Sequence, residues 1–174
     1  SIPKSLAVIG SGAIGSELAY FYKSMGSQVY LIEFLDRIVP LEDDDVSAQL
    51  ARSFRKEGIK VMVSSAVTSI SILPPNECSD SLESVEVTLE SKKGEEKIVV
   101  ERVLCAVGVE PNTQNLALDE IGIKTTRGKI DVNSFYHTGV GNIYAIGDVI
   151  STPALAHVAS CEAVACIEHI AEVE

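Results

Sequence analysis

Positive charge is scarce in this chain. Its 14 Lys and Arg stand against 25 Asp and Glu, a net charge of −11 over 174 residues. A phosphate backbone or an anionic membrane surface is held by clustered Lys and Arg, so neither nucleic acid nor membrane is expected as a partner. No apolar run approaches the roughly 18 residues that a membrane span requires. A charged-then-apolar leader is also lacking. The first residue is Ser1 rather than Met, and an apolar strand pattern follows almost at once; this is what a piece of a longer protein is expected to look like. Four unevenly spaced cysteines do not make a disulfide framework, which points to a reducing compartment. There is no internal repeat and no low-complexity tract.

What is present is ample apolar material, 46% of the chain. The length fits one ordinary domain, or one domain plus part of another. "SLAVIG" (5–10) has the length and composition of a buried strand. From Ala13 a helix pattern follows, with Leu18, Tyr22 and Met25 on one face and Gly26 as its stop. "QVYLIE" (28–33) reads as a second strand, "EDDD" (42–45) opens a second helix, and "IKVMV" (59–63) reads as a third strand. Acidic residues at a helix start offset its dipole, and "EDDD" lacks the alternating ligands and Gly of a calcium loop. The order β-α-β-α-β implies a parallel sheet with right-handed crossovers.

The period then changes from helical to two. "AVTSISIL", "SVEVTLE" and "EKIVVE" alternate, which predicts an antiparallel meander of three strands with a polar loop at 74–81 and a turn at "KKGEE". "RVLCAVG" (102–108) is expected to resume a buried strand. Residues 109–141 are turn-rich and mixed, "NIYAIGD" (142–148) reads as a further strand, and a helix is expected from Ala154 to about Ile170.

The chemistry is concentrated first in Gly10-Ser11-Gly12-Ala13-Ile14-Gly15, a G-x-G-x-x-G that follows a strand and opens a helix. Gly10 would permit the tight turn, Gly12 the approach of backbone N–H groups to a pyrophosphate, and Gly15 close helix–strand packing. The helix N-terminus adds unpaired N–H groups and partial positive charge. Glu33 ends the second strand, 18 residues after Gly15, and suits a carboxylate that accepts hydrogen bonds from adenosine ribose hydroxyls. It would repel a 2′-phosphate, which favours NAD over NADP. Arg37 is the opposing feature, since an Arg there can hold that phosphate; the plainer reading is a solvated loop residue.

The stretch "PKSLAVIGSGAIGSELAYFYKSMGSQVYLIEFLDRIVPLEDDDVSAQL", followed in order by "CAVGVEPNTQNLALDEIGI", "NIYAIGDV" and "LAHVASCEAVA", resembles the NAD-binding domain of the dihydrolipoamide dehydrogenase family of flavoprotein disulfide reductases. The resemblance implies that Gly10 to Gly15 hold the NAD pyrophosphate and Glu33 the adenine ribose. It places Val67 by the adenine, Gly108 in the nucleotide cleft and Glu17 near the nicotinamide. It assigns Asp148 to the FAD ribityl chain and Leu155-Ala156-His157 to the flavin ring. Val109 stands where the family commonly has Arg, and Ala163 where it usually has Gly.

The implied fold is α/β: a Rossmann-like, doubly wound parallel sheet with an antiparallel three-stranded meander over 1–107, then a segment, 108–174, from the FAD-facing central region. The implied parent reaction is oxidation of dihydrolipoamide through a redox cysteine pair and FAD, with hydride passed to NAD. The cysteine pair, the FAD adenosine site and the terminal His–Glu acid/base pair are expected outside this chain, so FAD is expected in the parent only and the chain alone is expected to be inactive. Implied partners are the dihydrolipoyl domains of 2-oxoacid dehydrogenase complexes and a second copy in a homodimer. The implied location is bacterial cytoplasm, or the mitochondrial or plastid matrix. Two alternatives stay open: another reductase of the superfamily (glutathione, mercuric or NADPH-linked), and a non-enzymatic NAD-sensing module. Cys161 and Cys166 share the C-x4-C spacing of a redox pair, yet on one helix positions i and i+5 lie roughly 8–9 Å apart at Cα, beyond the roughly 7 Å limit of a disulfide. His169 and Glu172 are expected to be a solvated helix end.

Overall fold

A computed structural model describes residues 1–74 and 84–172. The polar loop expected at 74–81 lies, from residue 75 on, outside the described residues. The chain divides into two compact units, Ser1–Gly108 and Val109–Glu174.

The first unit begins with β1 (Ser5–Ile9), α1 (Ala13–Ser24), β2 (Gln28–Ile32), α2 (Asp44–Lys56) and β3 (Lys60–Met62). The expected stop of α1 holds at Gly26, and Gly58 follows α2 in the same way; both are at positive φ, where a residue without Cβ is unstrained. α2 carries Asp44 and Asp45 in its first turn and Arg55 and Lys56 in its last, which complements its dipole at both ends. Then come β4 (Ser65–Leu73), β5 (Ser84–Ser91) and β6 (Gly94–Val100), an antiparallel sheet in the order β4-β5-β6, and β7 (Arg102–Cys105).

The parallel sheet has the order β3-β2-β1-β7. Winding runs outward from β1 to β3, then returns through the meander to β7 on the other side of β1. That reversal leaves a crevice at the carboxyl ends of β1 and β7. One face of the sheet packs Leu6, Val8, Val29 and Leu31 against Ala19 of α1 and Ala51 and Phe54 of α2. The other face packs Ala7 and Ile32 against Val87, Leu89, Ile98 and Val100 of the meander. The unit is thus three layers: helices, parallel sheet, meander. β7 is an edge strand and is half exposed along its length, where the sequence suggested burial; its apolar residues face a neighbour on one side only.

The second unit has a core of Ile123, Ile130, Ala145 and Ile150. It contains a short hairpin, β8 (Thr125–Thr126) with β9 (Lys129–Ile130), and α3 (Ala156–Ile170). The strand expected at 142–148 is not formed. Tyr144 makes one isolated bridge, to His137. The backbone bonds there close a local turn: Thr138 N–H donates to the Ile143 carbonyl and Ala145 N–H to that of Tyr136. Gly147–Val149 then form a single 3-10 turn. α3 begins two residues later than expected, at Ala156, because Leu155 is still extended.

Candidate functional site

The carboxyl ends of β1, β2 and β7 meet through backbone hydrogen bonds. Gly10 N–H donates to Ile32 O, Glu33 N–H to Met62 O and Ala106 N–H to Ile9 O. These bonds bring Gly10, Glu33 and Ala106 together beside the start of α1. A cleft of about 580 Å³ opens there, lined among others by Gly10, Ser11, Gly12, Ala13, Glu33, Val67 and Gly108.

The three fingerprint glycines differ in what a side chain would meet. A Cβ on Gly10, whose φ is +95°, would lie 2.4 Å from the Ala106 carbonyl oxygen. On Gly15 it would lie 2.0 Å from Gly10 O. Both glycines are required by the protein's own packing. On Gly12 it would meet nothing within 4 Å, and its φ of −62° is open to any residue. The space beside Gly12 is therefore free for something else, which is the property a pyrophosphate cradle needs.

Glu33 is only 8% exposed, and its carboxylate is tied to the glycine loop. Oε2 accepts from the Ser11 amide at 2.9 Å and the Ser11 hydroxyl at 2.7 Å, and Oε1 accepts from the Leu35 amide at 2.9 Å. Burial pushes its carboxyl up, but the bonds from the Leu35 amide and from the Ser11 hydroxyl and amide outweigh that and leave it below its ordinary value. Ser11 is itself fully buried. Its carbonyl accepts from Val39 N–H and from the Ser16 hydroxyl, each at 2.9 Å.

Arg37 does not line the cleft. Its guanidinium pairs with Asp44 and donates to the Pro40 carbonyl, so it braces the loop in front of α2. The other expected residues of this unit, Ile14, Gly15 and Glu17, lie on α1 outside the lining; Ile14 and Glu17 are exposed. Lining residues not singled out from the sequence include Leu35, Pro40, Leu41, Glu42, Ser65 and Val107. They come from the connections after β2 and β7 and from the start of β4, whose placement follows from the sheet order and not from any local pattern.

In the second unit Asp148 is exposed on the 3-10 turn, and Leu155, Ala156 and His157 are exposed at the start of α3. Sequence reasoning missed Glu162. It is 3% exposed within α3 and accepts the Gly147 amide on Oε2 at 2.6 Å, while Oε1 is buried without a partner. A lone carboxylate inside the apolar run "VASCEAVAC" was the available signal. Cys161 and Cys166 are free thiols on α3, the first exposed and the second buried. His169 stacks on Phe135 with ring centroids 4.0 Å apart. The described residues contain no cluster of metal-ligating side chains and no helix long and apolar enough to cross a membrane.

The profile of the pyridine nucleotide-disulphide oxidoreductases matches residues 1–163. The chain belongs to that family. Within the pyridine nucleotide-disulphide oxidoreductases it is 40% identical over 172 residues to a dihydrolipoyl dehydrogenase of Rhizobium etli, covering 98% of this chain and 34% of the relative. It is 41% identical over 174 residues to that of Zymomonas mobilis, covering 98% and 35%. The chain therefore spans about a third of the length of these relatives. Among solved structures it resembles LpdA from Mycobacterium tuberculosis, with a TM-score of 0.83 and 28% identity over 99% of this chain and 35% of the other. The α/β architecture, with its parallel and antiparallel sheets, is thus that of the flavoprotein disulfide reductases.

Proposed function

We propose that the first unit binds NAD and orients it within a dihydrolipoamide dehydrogenase, the enzyme that couples oxidation of dihydrolipoamide to reduction of NAD. The observation that carries this reading is the pairing of an open Gly12 with a buried, ionised Glu33 across one cleft. Gly12 and the amides at the start of α1 receive the pyrophosphate, Glu33 the adenine ribose, and Val67 the adenine edge. Gly108 and Glu17 lie toward the nicotinamide. When bound, NAD supplies the hydride acceptor; this chain binds it, places it and excludes a 2′-phosphate. Among the described residues no Lys or Arg lines the cleft, which supports NAD over NADP, as does the engagement of Arg37 elsewhere.

The second unit (residues 109–174) is assigned to the FAD-facing part of the enzyme. Asp148 would meet the ribityl chain. The exposed start of α3, at Leu155, Ala156 and His157, would face the flavin, where the helix dipole favours negative charge. The working enzyme would be a homodimer that serves the dihydrolipoyl domains of 2-oxoacid dehydrogenase complexes, in cytoplasm or an organelle matrix. The chain by itself would show no dihydrolipoamide dehydrogenase activity and hold no FAD. Calorimetric titration of the 174-residue chain with NAD and NADP tests the core of this reading. Tighter binding of NAD is expected, and equal affinities would sink it.

A further inference from the structure

Ser11 is expected, within Gly10 to Gly15, to hold the pyrophosphate, yet both of its donors are spent elsewhere. Its amide and its hydroxyl donate to Glu33 Oε2, at 2.9 and 2.7 Å. The residue is fully buried. Its carbonyl is occupied as well, by Val39 N–H and by the Ser16 hydroxyl. Val39 has a φ of +40°, a conformation that a β-branched residue keeps only where its surroundings fix it. Ser11 is thus a fixed point between the glycine loop and the connection that follows β2.

Glu33 gains from this in two ways. A free glutamate side chain turns about several bonds, and fixing it costs conformational entropy. The bonds from Ser11 and from the Leu35 amide fix it during folding, so an arriving nucleotide meets an ordered acceptor. Burial by itself also favours the protonated acid. The Leu35 amide, the Ser11 hydroxyl and amide and the Phe34 amide reverse that and hold the carboxyl below its ordinary value of 4.5. Of these donors only the Ser11 hydroxyl belongs to a side chain. It is the part of the arrangement that depends on which residue stands at position 11.

We infer that the Ser11 hydroxyl is a positioning group of this nucleotide site: acting through Glu33, it fixes the carboxylate that receives the ribose, rather than touching the pyrophosphate. This inference rests on the NAD reading above.

Calorimetric titration of the 174-residue chain with NAD, from neutral pH down to the acid edge of folding, tests it on Ser11→Ala, Ser11→Gly and Ser16→Ala. The two Ser11 variants remove the hydroxyl, keep the amide and leave more room, and thermal melts check that each is folded. Each should weaken NAD about two- to tenfold at neutral pH, the ordering cost of one rotamer-rich side chain. NAD affinity should fall as pH drops through the Glu33 value. Loss of a donor to the ionised form raises that value, so the fall should begin at higher pH in both variants. Ser16→Ala removes a bond to the Ser11 carbonyl but none to Glu33, so its fall should begin where it does in the unmutated chain. In a Glu33→Gln background Ser11→Ala should displace nothing, because the titrating partner is gone. If the Ser11 variants bind NAD as the unmutated chain does, or lose the same factor at every pH, the inference is wrong and the NAD reading survives. A displacement that Ser16→Ala reproduces, or that persists with Glu33→Gln, overturns it equally. If the unmutated chain binds no NAD, both fall together.

Discussion

The carboxylate of Glu162 reaches back 15 positions along the chain to the amide of Gly147 and meets it at 2.6 Å inside the second unit. The bond joins α3 to the turn that presents Asp148. Gly147 has a φ of +74°, and a Cβ there would press on Ala159 at 3.3 Å. The turn, its glycine and the helix are thus one packed assembly.

Glu162→Ala should destabilise the second unit by about 1–3 kcal/mol, since the Gly147 donor is left buried without a partner. Gly147→Ala should cost about 1–2 kcal/mol from the left-handed backbone alone. Hydrogen exchange of the Gly147 amide is the readout. Exchange that stays slow in Glu162→Ala would show that the carboxylate does not hold the turn.

Glu33 gives the stability of the first unit a pH dependence. Its carboxyl in the fold is held below the ordinary value of 4.5. A depressed carboxyl contributes stability that is fully present above the unfolded value and is lost as pH falls through the lower folded value. Glu33→Gln should therefore be less stable than the unmutated chain at neutral pH, and the gap should close in acid. Urea unfolding at several pH values measures it; a gap that widens on acidification would reverse the sign.

Most of the first unit was legible in the sequence. α1, α2 and the two sheets follow from a hydrophobic period that switches from 3.6 to 2 and from glycines at the stops. The second unit was less so. "NIYAIGD" has strand composition, but a strand also needs neighbours along its length. Among the described residues only the His137–Tyr144 bridge is found, and the backbone closes into a turn instead. The hairpin at Thr125–Ile130 was hidden among turn residues, although Arg127 and Gly128, both at positive φ, make its bend. In the cleft, spacing located the glycines and Glu33. It could not show that Ser11 would spend its amide and hydroxyl on that carboxylate, because the contact spans 22 residues and depends on the register of β1 with β2.

Cys161 and Cys166 should remain thiols after air exposure. Both are free, and helical geometry holds them apart. Alkylation followed by mass spectrometry should label Cys161 quickly in the folded chain and the buried Cys166 only on unfolding. An intact-mass loss of two hydrogens that localises to a peptide joining the pair would refute this.

The fingerprint glycines allow folding and binding to be separated. Gly10→Ala and Gly15→Ala each place a Cβ within 2.4 Å of backbone carbonyl oxygen, a contact that no side-chain rotation relieves. Each should lose stability of about 1–3 kcal/mol or more, the range of overpacked cores, with Gly10→Ala strained further by its φ of +95°. Gly12→Ala meets open space and an ordinary backbone conformation, so its melting temperature should match that of the unmutated chain. If the space beside Gly12 is where a pyrophosphate approaches the backbone, the added methyl occupies it. NAD affinity should then fall by about tenfold or more, the worth of one or two lost charge-assisted hydrogen bonds. Thermal melts and calorimetric titration on the three variants read the two effects independently. A Gly12→Ala chain that melts normally and binds NAD undiminished would remove Gly12 from the site while leaving the fold assignment intact.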